Sequence, residues 1–393
     1  MNILDESRSI AEWIVELRRQ IHRHPELMCE EFETSRLVRD TLDELDIRYC
    51  HPLATTGVVA TLGTGNPPCI ALRADMDALP VQEEADVPFR SEFEGKMHAC
   101  GHDCHTAMLL GAARQLKGRE SELRGTVKLI FQPAEEGEAG AEQMCREGVL
   151  ERPRVEQIFG LHVWPSMTTG DVAGNSGVIL AAVGVFEIAI TGKGGHGALP
   201  HLTFDPVTCA GKLVVELQTI VSRETNPFSP TVVSVGSIHG GEAMNVIPGS
   251  AKLAGTFRSL SKSGLGFVKQ RIEEIVAGVV TANRCTASVT YPFQDHPPTV
   301  NDDACWAVAR EAAVGLLGVE HVRAMEPVLA SEDFAFYQQR IPGNFAFLGV
   351  SDPAWDTRHG VHHPKFRVDE NALPIGAAWH VATALKALDG LRV

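Results

Sequence analysis

The stretch Gly125–Gly137, GTVKLIFQPAEEG, runs from a mostly apolar segment through a proline into two adjacent carboxylates and a glycine. Its first part, Gly125–Gln132, predicts a strand buried on both faces, as in a parallel sheet covered by helices. Upstream, short β-rich runs at Gly57–Leu62 and Cys69–Arg73 precede an apolar, alanine-rich segment at Asp103–Leu116. That segment reads as a helix with Asp103 as its N-cap. Downstream, Gln157–Val163 (QIFGLHV) is another buried-type strand, also followed by a proline. Ile10–Ile21 and Glu31–Leu45 carry helical patterns. Strands alternating with helices predict a wound, mostly parallel α/β sheet.

Further on, the pattern changes. Val183–Thr191 alternates apolar and polar residues, and a glycine-rich loop leads to a predicted helix at Asp205–Ser222. Alternating runs at Thr231–His239 and Ser250–Arg258, a helix near Gly266–Thr281 and a strand near Thr286–Tyr291 complete the order βαββαβ. That order predicts an inserted ferredoxin-like module at residues 182–297. The helical style returns at Asp302–Leu317 and Asn371–Leu388, so the first domain is expected to be discontinuous, residues 1–181 and 298–393.

Composition narrows the function classes. The chain has 393 residues, with 50 Asp+Glu against 35 Lys+Arg and a formal charge of −15. This balance argues against a nucleic-acid binder, which would show a basic patch. No run approaches the ~18 apolar residues of a membrane span. The N-terminal segment has no apolar core of a signal peptide, and nine cysteines, an odd number, read as reduced thiols. A cytoplasmic protein that binds neither nucleic acid nor membrane is expected.

Chemistry gathers at the ends of the predicted parallel strands, where ligands of open α/β sheets collect. CIALRAD ends at Asp75, with Asp77 two residues on; TVKLIFQPAEE ends at Glu135 and Glu136; IFGLHVWP carries His162. Between them MHACGHDCH places His98, Cys100, His102, Asp103 and His105 around a helix start. Thiolate, imidazole and carboxylate together suit Zn²⁺ or a similar ion, although the spacing is not that of a structural Cys₄ or Cys₂His₂ site. Because adjacent side chains diverge, one of Glu135 and Glu136 can bind metal while the other faces the attacking water as a general base. HExxH, GxSxG and a Walker A loop are all absent. Gly192, Gly194 and Gly197 satisfy GxGxxG, but Pro200 and Pro206 disfavour the helix a dinucleotide site requires. His196 in that loop reads equally as a positioned functional group and as a polar loop histidine. One of His362 and His363 in GVHHPKF could be a distant ligand, but alone each reads rather as a surface histidine, and Arg258, at a strand end where it could clamp a carboxylate, reads rather as a salt-bridge partner.

Taken in order, HRHPEL, ALRADMDALPVQE, MHACGHDCHTAMLLGAA, LIFQPAEEG, GLHVWP, GKGGHGALPH, NVIP, SEDF and HHPKF resemble the aminoacylase-type family of dinuclear metallopeptidases, in its amidohydrolase branch. The resemblance covers about Ile14 to Ala384. It implies two divalent ions per subunit, Zn²⁺ or Mn²⁺ with Co²⁺ and Ni²⁺ as alternatives, on Cys100, His102, Glu136, His162 and His362. It also implies Glu135 as general base, His196 and Asn245 at the oxyanion or substrate, and Arg258 at the substrate carboxylate. Asp75 and Asp77 would support the site. The insert would serve as lid and dimerisation domain, with His196 supplied by the second subunit of a homodimer or higher homo-oligomer. Two departures stand out: glycine at position 197, where alanine is common, which would loosen the lid, and HHP, where HSP is commoner, which would let His363 compete with His362. The expected activity is hydrolysis of N-acyl amino acids. The alternatives are a dipeptidase or carboxypeptidase of the same superfamily, a cysteine hydrolase using Cys100, and a metal-stabilised binding protein without turnover.

Overall fold

A computed structural model describes residues 2–352, 354–355 and 358–391. The chain divides into two compact units, one of Met1–Ile179, Val300–Glu326 and Asp333–Val393, the other of Leu180–Thr299 and Pro327–Glu332.

The larger unit is built on an eight-stranded sheet. Its order is Arg48–Leu53, Gly57–Gly63, Thr126–Gln132, Cys69–Asp75, Gln157–Thr168, Gly343–Ser351, Val172–Gly174 and Val322–Ala324. The four central strands, from Thr126–Gln132 to Gly343–Ser351, are mutually parallel. Cys69–Asp75, Thr126–Gln132 and Gly343–Ser351 are buried at every residue, so no alternation survives in their sequences. Helices Ala11–Arg23, His102–Gly118, Asp303–Leu317 and Leu373–Gly390 pack together beside this sheet. Their core includes Ile14, Leu109, Leu110, Phe159, Leu348 and Trp379, all fully buried. Each such side chain contributes about 1.5–3 kcal/mol of transfer free energy.

One helix start differs from its expectation. The helix begins at His102, and its N-cap is Gly101, in the left-handed region with φ 90°. Asp103 caps nothing. It lies buried in the first turn, where its Oδ2 accepts from Arg18 Nε at 2.7 Å and faces His22 Nδ1 at 2.8 Å. A buried carboxylate needs charged partners, and this demand outweighs the capping preference.

In the smaller unit a four-stranded antiparallel sheet runs Thr231–His239, Ser250–Ser259, Ala182–Thr191, Thr286–Thr290. Along Ala182–Thr191 every second residue is buried, as expected where one face packs and the other is solvated. Helices Pro206–Thr219 and Lys262–Ala282 supply the covering layer, with Leu213, Leu217, Ile272 and Val276 against Phe186, Ile188 and Phe257. Asp205 caps the first through Val207 N and Thr208 N, with Pro206 in its opening turn, and Ser261 caps the second through Gly264 N. Pro327–Glu332 joins this unit, which the sequence reading did not anticipate. Among the described residues no helix is long and apolar enough to cross a membrane.

Candidate metal centre

The parallel strands carry their polar groups at one end. Cys69–Asp75 delivers Asp75, the turn after Thr126–Gln132 delivers Glu135 and Glu136, and Gln157–Thr168 carries His162. Gly101 lets the chain turn between Cys100 and His102 at the helix start. A Cβ there would meet Val163 Cγ2 at 2.4 Å, so only glycine fits.

All five sequence-derived metal donors converge. Cys100, His102 and His162 present donor atoms within 4.8 Å of one another, as do Cys100, Glu136 and His362, and His102, Glu135 and Glu136. Cys100 Sγ lies 3.4 Å from His162 Nε2, and Glu136 Oε1 lies 3.2 Å from His362 Nε2 and 4.0 Å from His102 Nε2. His362 has φ 66°, and its amide donates to Ala99 O at 2.7 Å, which ties the loop to the strand-helix connection. His363 is exposed, and its Nδ1 accepts from Lys365 N at 3.0 Å. Among the described residues it joins none of these donor groups.

Hydrogen bonds fix the imidazole tautomers. Asp77 Oδ1 accepts from His102 Nδ1 at 3.0 Å, which turns Nε2 toward the donor cluster, and Asp77 Oδ2 accepts from Glu136 N at 2.9 Å. His162 Nδ1 donates to Val163 O at 2.7 Å, which again directs Nε2 inward. Both ring nitrogens of His105 are engaged, Nδ1 with Asp75 Oδ1 at 2.5 Å and Nε2 as acceptor of Val163 N at 3.0 Å. His105 is therefore a brace rather than a donor.

These residues fit a divalent cation. His102 Nε2 is buried and makes no hydrogen bond. The Cys100–His162 separation is close to the about 3.6 Å implied by tetrahedral zinc with bonds of about 2.3 and 2.0–2.1 Å. The electrostatics agree. Burial drives the Cys100 thiol well above its usual range, and Glu136, Glu135 and Asp75 push it the same way. Burial works against a charged His102, yet Asp75, Asp77 and Glu136 hold its pKa up at about 10. For His162, burial and the neighbouring His105 push the pKa well down. A buried thiol and imidazoles among carboxylates make a field that favours a cation.

The smaller unit holds the remaining candidates. His196 is exposed on a short strand paired with Val246–Ile247. Its Nδ1 accepts from Ala198 N at 3.1 Å, so the neutral ring presents Nε2–H. Asn245 O accepts from Gly197 N at 2.8 Å, placing Asn245 beside His196. A Cβ on Gly197 would meet Asn245 O at 2.9 Å, so this glycine permits a close approach instead of loosening the loop. Arg258 is half-buried and bonds Leu329 O at 3.0 Å, and no carboxylate among the described residues pairs with it. The salt bridge expected from sequence is absent there.

Sequence reading missed a buried network below the site. Arg73 donates to Asp75 Oδ2 at 2.6 Å, to Asp333 Oδ1 at 2.9 Å and to Gln132 Oε1 at 2.8 Å. The signal was an arginine inside the otherwise apolar run CIALRAD.

Comparison with known proteins agrees with the geometry. Residues 71–386 match the model of peptidase family M20/M25/M40. The chain is 47% identical over 380 residues to IAA-amino acid hydrolase ILR1-like 4 of Arabidopsis thaliana, covering 96% of this chain and 86% of that one. It is 40% identical over 382 residues to N-acetyl-L-cysteine deacetylase of Bacillus subtilis, covering 96% and 88%. A crystal structure of a dinuclear metal-binding M20 peptidase from Bacillus subtilis superposes with a TM-score of 0.82 at 36% identity, covering 97% and 99%. The chain belongs to peptidase family M20/M25/M40. It is a metal-dependent amidohydrolase.

Proposed function

We propose that the protein hydrolyses the amide bond of N-acyl amino acids, releasing a carboxylic acid and a free amino acid. The observation that carries this reading is the convergence of Cys100, His102, Glu136, His162 and His362 beside the Glu135 carboxylate. Those five would hold two divalent ions, with Zn²⁺ and Mn²⁺ the first choices for a mixed S, N and O set and Co²⁺ and Ni²⁺ alternatives. When bound, such ions polarise the scissile carbonyl and make a water molecule acidic near neutral pH. Glu135 takes the proton from the attacking water and delivers it to the leaving amine. His196 donates its Nε2–H to the developing oxyanion, with Asn245 beside it. The Arg258 guanidinium, which pairs with no carboxylate among the described residues, clamps the substrate carboxylate. The smaller unit acts as a lid and dimerisation module, and His196 serves the site of the second subunit.

A Cys100 nucleophile is disfavoured. Such a cysteine needs a lowered pKa and an imidazole able to take its proton, whereas burial pushes the Cys100 thiol up and His162 down. The test is an assay of free amino acid released from hippurate, N-acetyl amino acids and indole-3-acetyl amino acids, with metal-free, Zn²⁺ and Mn²⁺ protein. Activity restored by metal on one acyl class is the expected outcome, and release from dipeptides alone would favour a dipeptidase or carboxypeptidase. Turnover that survives complete metal removal overturns the reading.

A further inference from the structure

The SEDF segment, Ser331–Phe334, has no part in the chemistry above, yet its Asp333 is fully buried and lies against the Glu135 turn. Asp333 N donates to Glu135 Oε1 at 3.3 Å. The Asp333 carboxylate is itself held firmly. Oδ1 accepts from Arg73 Nη2 at 2.9 Å and Gln132 Nε2 at 2.8 Å, and Oδ2 accepts from Ala141 N at 2.9 Å. Gln132 precedes the Glu135–Glu136 turn and Ala141 lies in the helix that follows it, so one carboxylate staples both ends of that turn. Arg73 joins this half of the centre to the other. Its Nη1 bonds Asp75, whose Oδ1 holds His105, which accepts the amide next to His162.

We propose that Asp333 is a positioning residue for Glu135: its amide orients the base carboxylate, and the Arg73–Asp333 pair fixes that amide. The physical need is clear. A proton-transferring carboxylate must keep its geometry within about 0.5 Å, and the bonds that brace this turn, Ala134 N to Glu31 and Glu136 N to Asp77, hold its backbone and not the Glu135 side chain. A buried guanidinium bonded to two carboxylates and an amide is rigid, because displacing any partner leaves an uncompensated buried charge. The inference rests on the assignment of Glu135 as base.

The experiment is a double-mutant cycle on the metal-loaded protein, with the best substrate of the panel above. Asp333→Ala, or the isosteric Asp333→Asn should the alanine variant not fold, is combined with Glu135→Gln. Metal content and thermal midpoint are measured beside kcat and KM. Expected is a tenfold to hundredfold fall in kcat for the Asp333 variant, with KM within threefold, two ions retained and a smaller loss for Asn than for Ala. In the Glu135→Gln background the Asp333 substitution should cost no further rate, since its effect passes through the base. Equal fractional losses in both backgrounds, or an unchanged kcat, overturn the inference. Full activity of Glu135→Gln alone overturns the assignment of the base instead.

Discussion

Replacing Gly101 by alanine tests whether backbone shape at this one residue builds the centre. Gly101 sits between two candidate metal donors with φ 90°, a region where a side chain costs about 1–2 kcal/mol. The added methyl would also lie 2.4 Å from Cγ2 of Val163, a fully buried residue. Relieving such overpacking costs typically about 1–3 kcal/mol. Together these give about 2–5 kcal/mol of destabilisation. Any shift of Val163 also disturbs the amide that His105 accepts and the strand carrying His162. Urea unfolding of the chelated protein, followed by tryptophan fluorescence, reads the unit concerned, because Trp13, Trp164, Trp306, Trp355 and Trp379 all belong to it. Competition with a fluorescent zinc chelator then reads metal affinity, expected to fall at least tenfold. Gly95→Ala is the control: φ is +74° but the space around it is open, so only the backbone cost of about 1–2 kcal/mol applies. A Gly101→Ala protein no less stable than this control, with unchanged chelator competition, would refute the argument.

Three further substitutions probe separate links. Asp77→Asn puts an amide NH2 in place of one of the two carboxylate oxygens that hold His102 Nδ1 and Glu136 N, and should weaken metal binding about 10–100-fold with little change in fold, as chelator titration would report; undiminished affinity counts against that orienting role. His380 is buried in the C-terminal helix, and burial lowers its pKa to about 3, so the unfolded chain binds the proton first as pH falls below about 6.5. Its contribution is whole above that value and drains by about 1.4 kcal/mol per unit below it; between pH 7 and 5 chelated His380→Leu should therefore lose about 2 kcal/mol less than the parent, and equal losses would contradict this. Gly197→Ala forces a methyl to 2.9 Å from Asn245 O and should slow turnover about tenfold, equivalent to about 1.4 kcal/mol, while leaving the tryptophan-monitored transition unmoved. Unchanged turnover would detach the His196 loop from the reaction.

The sequence exposed elements whose pattern has a period or a cap. Thr231–His239 emerged with the bounds read from its alternation, and the helices read from Asp205 and Asp302 begin one residue later, each with that aspartate as its N-cap. Gly343–Ser351 escaped notice although it is a central strand, because burial on both faces erases the alternation that marks a strand. Arg48–Leu53, at the sheet edge, is mostly exposed and carries a proline, so it too lacks a signal. In the centre, the candidate donors stood out because thiol, imidazole and carboxylate cluster along short motifs. Asp103 misled because its nearest partner in sequence is a helix start, while its partners in space lie about 80 residues earlier. Asp333 was overlooked for the same reason, since Arg73 stands 260 residues away.

The strand Gly343–Ser351, lying between Gln157–Thr168 and Val172–Gly174, has a consequence for the chain as it is made. A ribosome that has reached residue 300 has already joined every residue of the smaller core, and domains generally fold as units. The large sheet at that moment is missing a middle member and shows Gln157–Thr168 as a bare edge, and the loop bearing His362 has yet to be synthesised. Such an edge invites pairing with other chains. Until residue 351 has been made, that edge has no partner within its own chain.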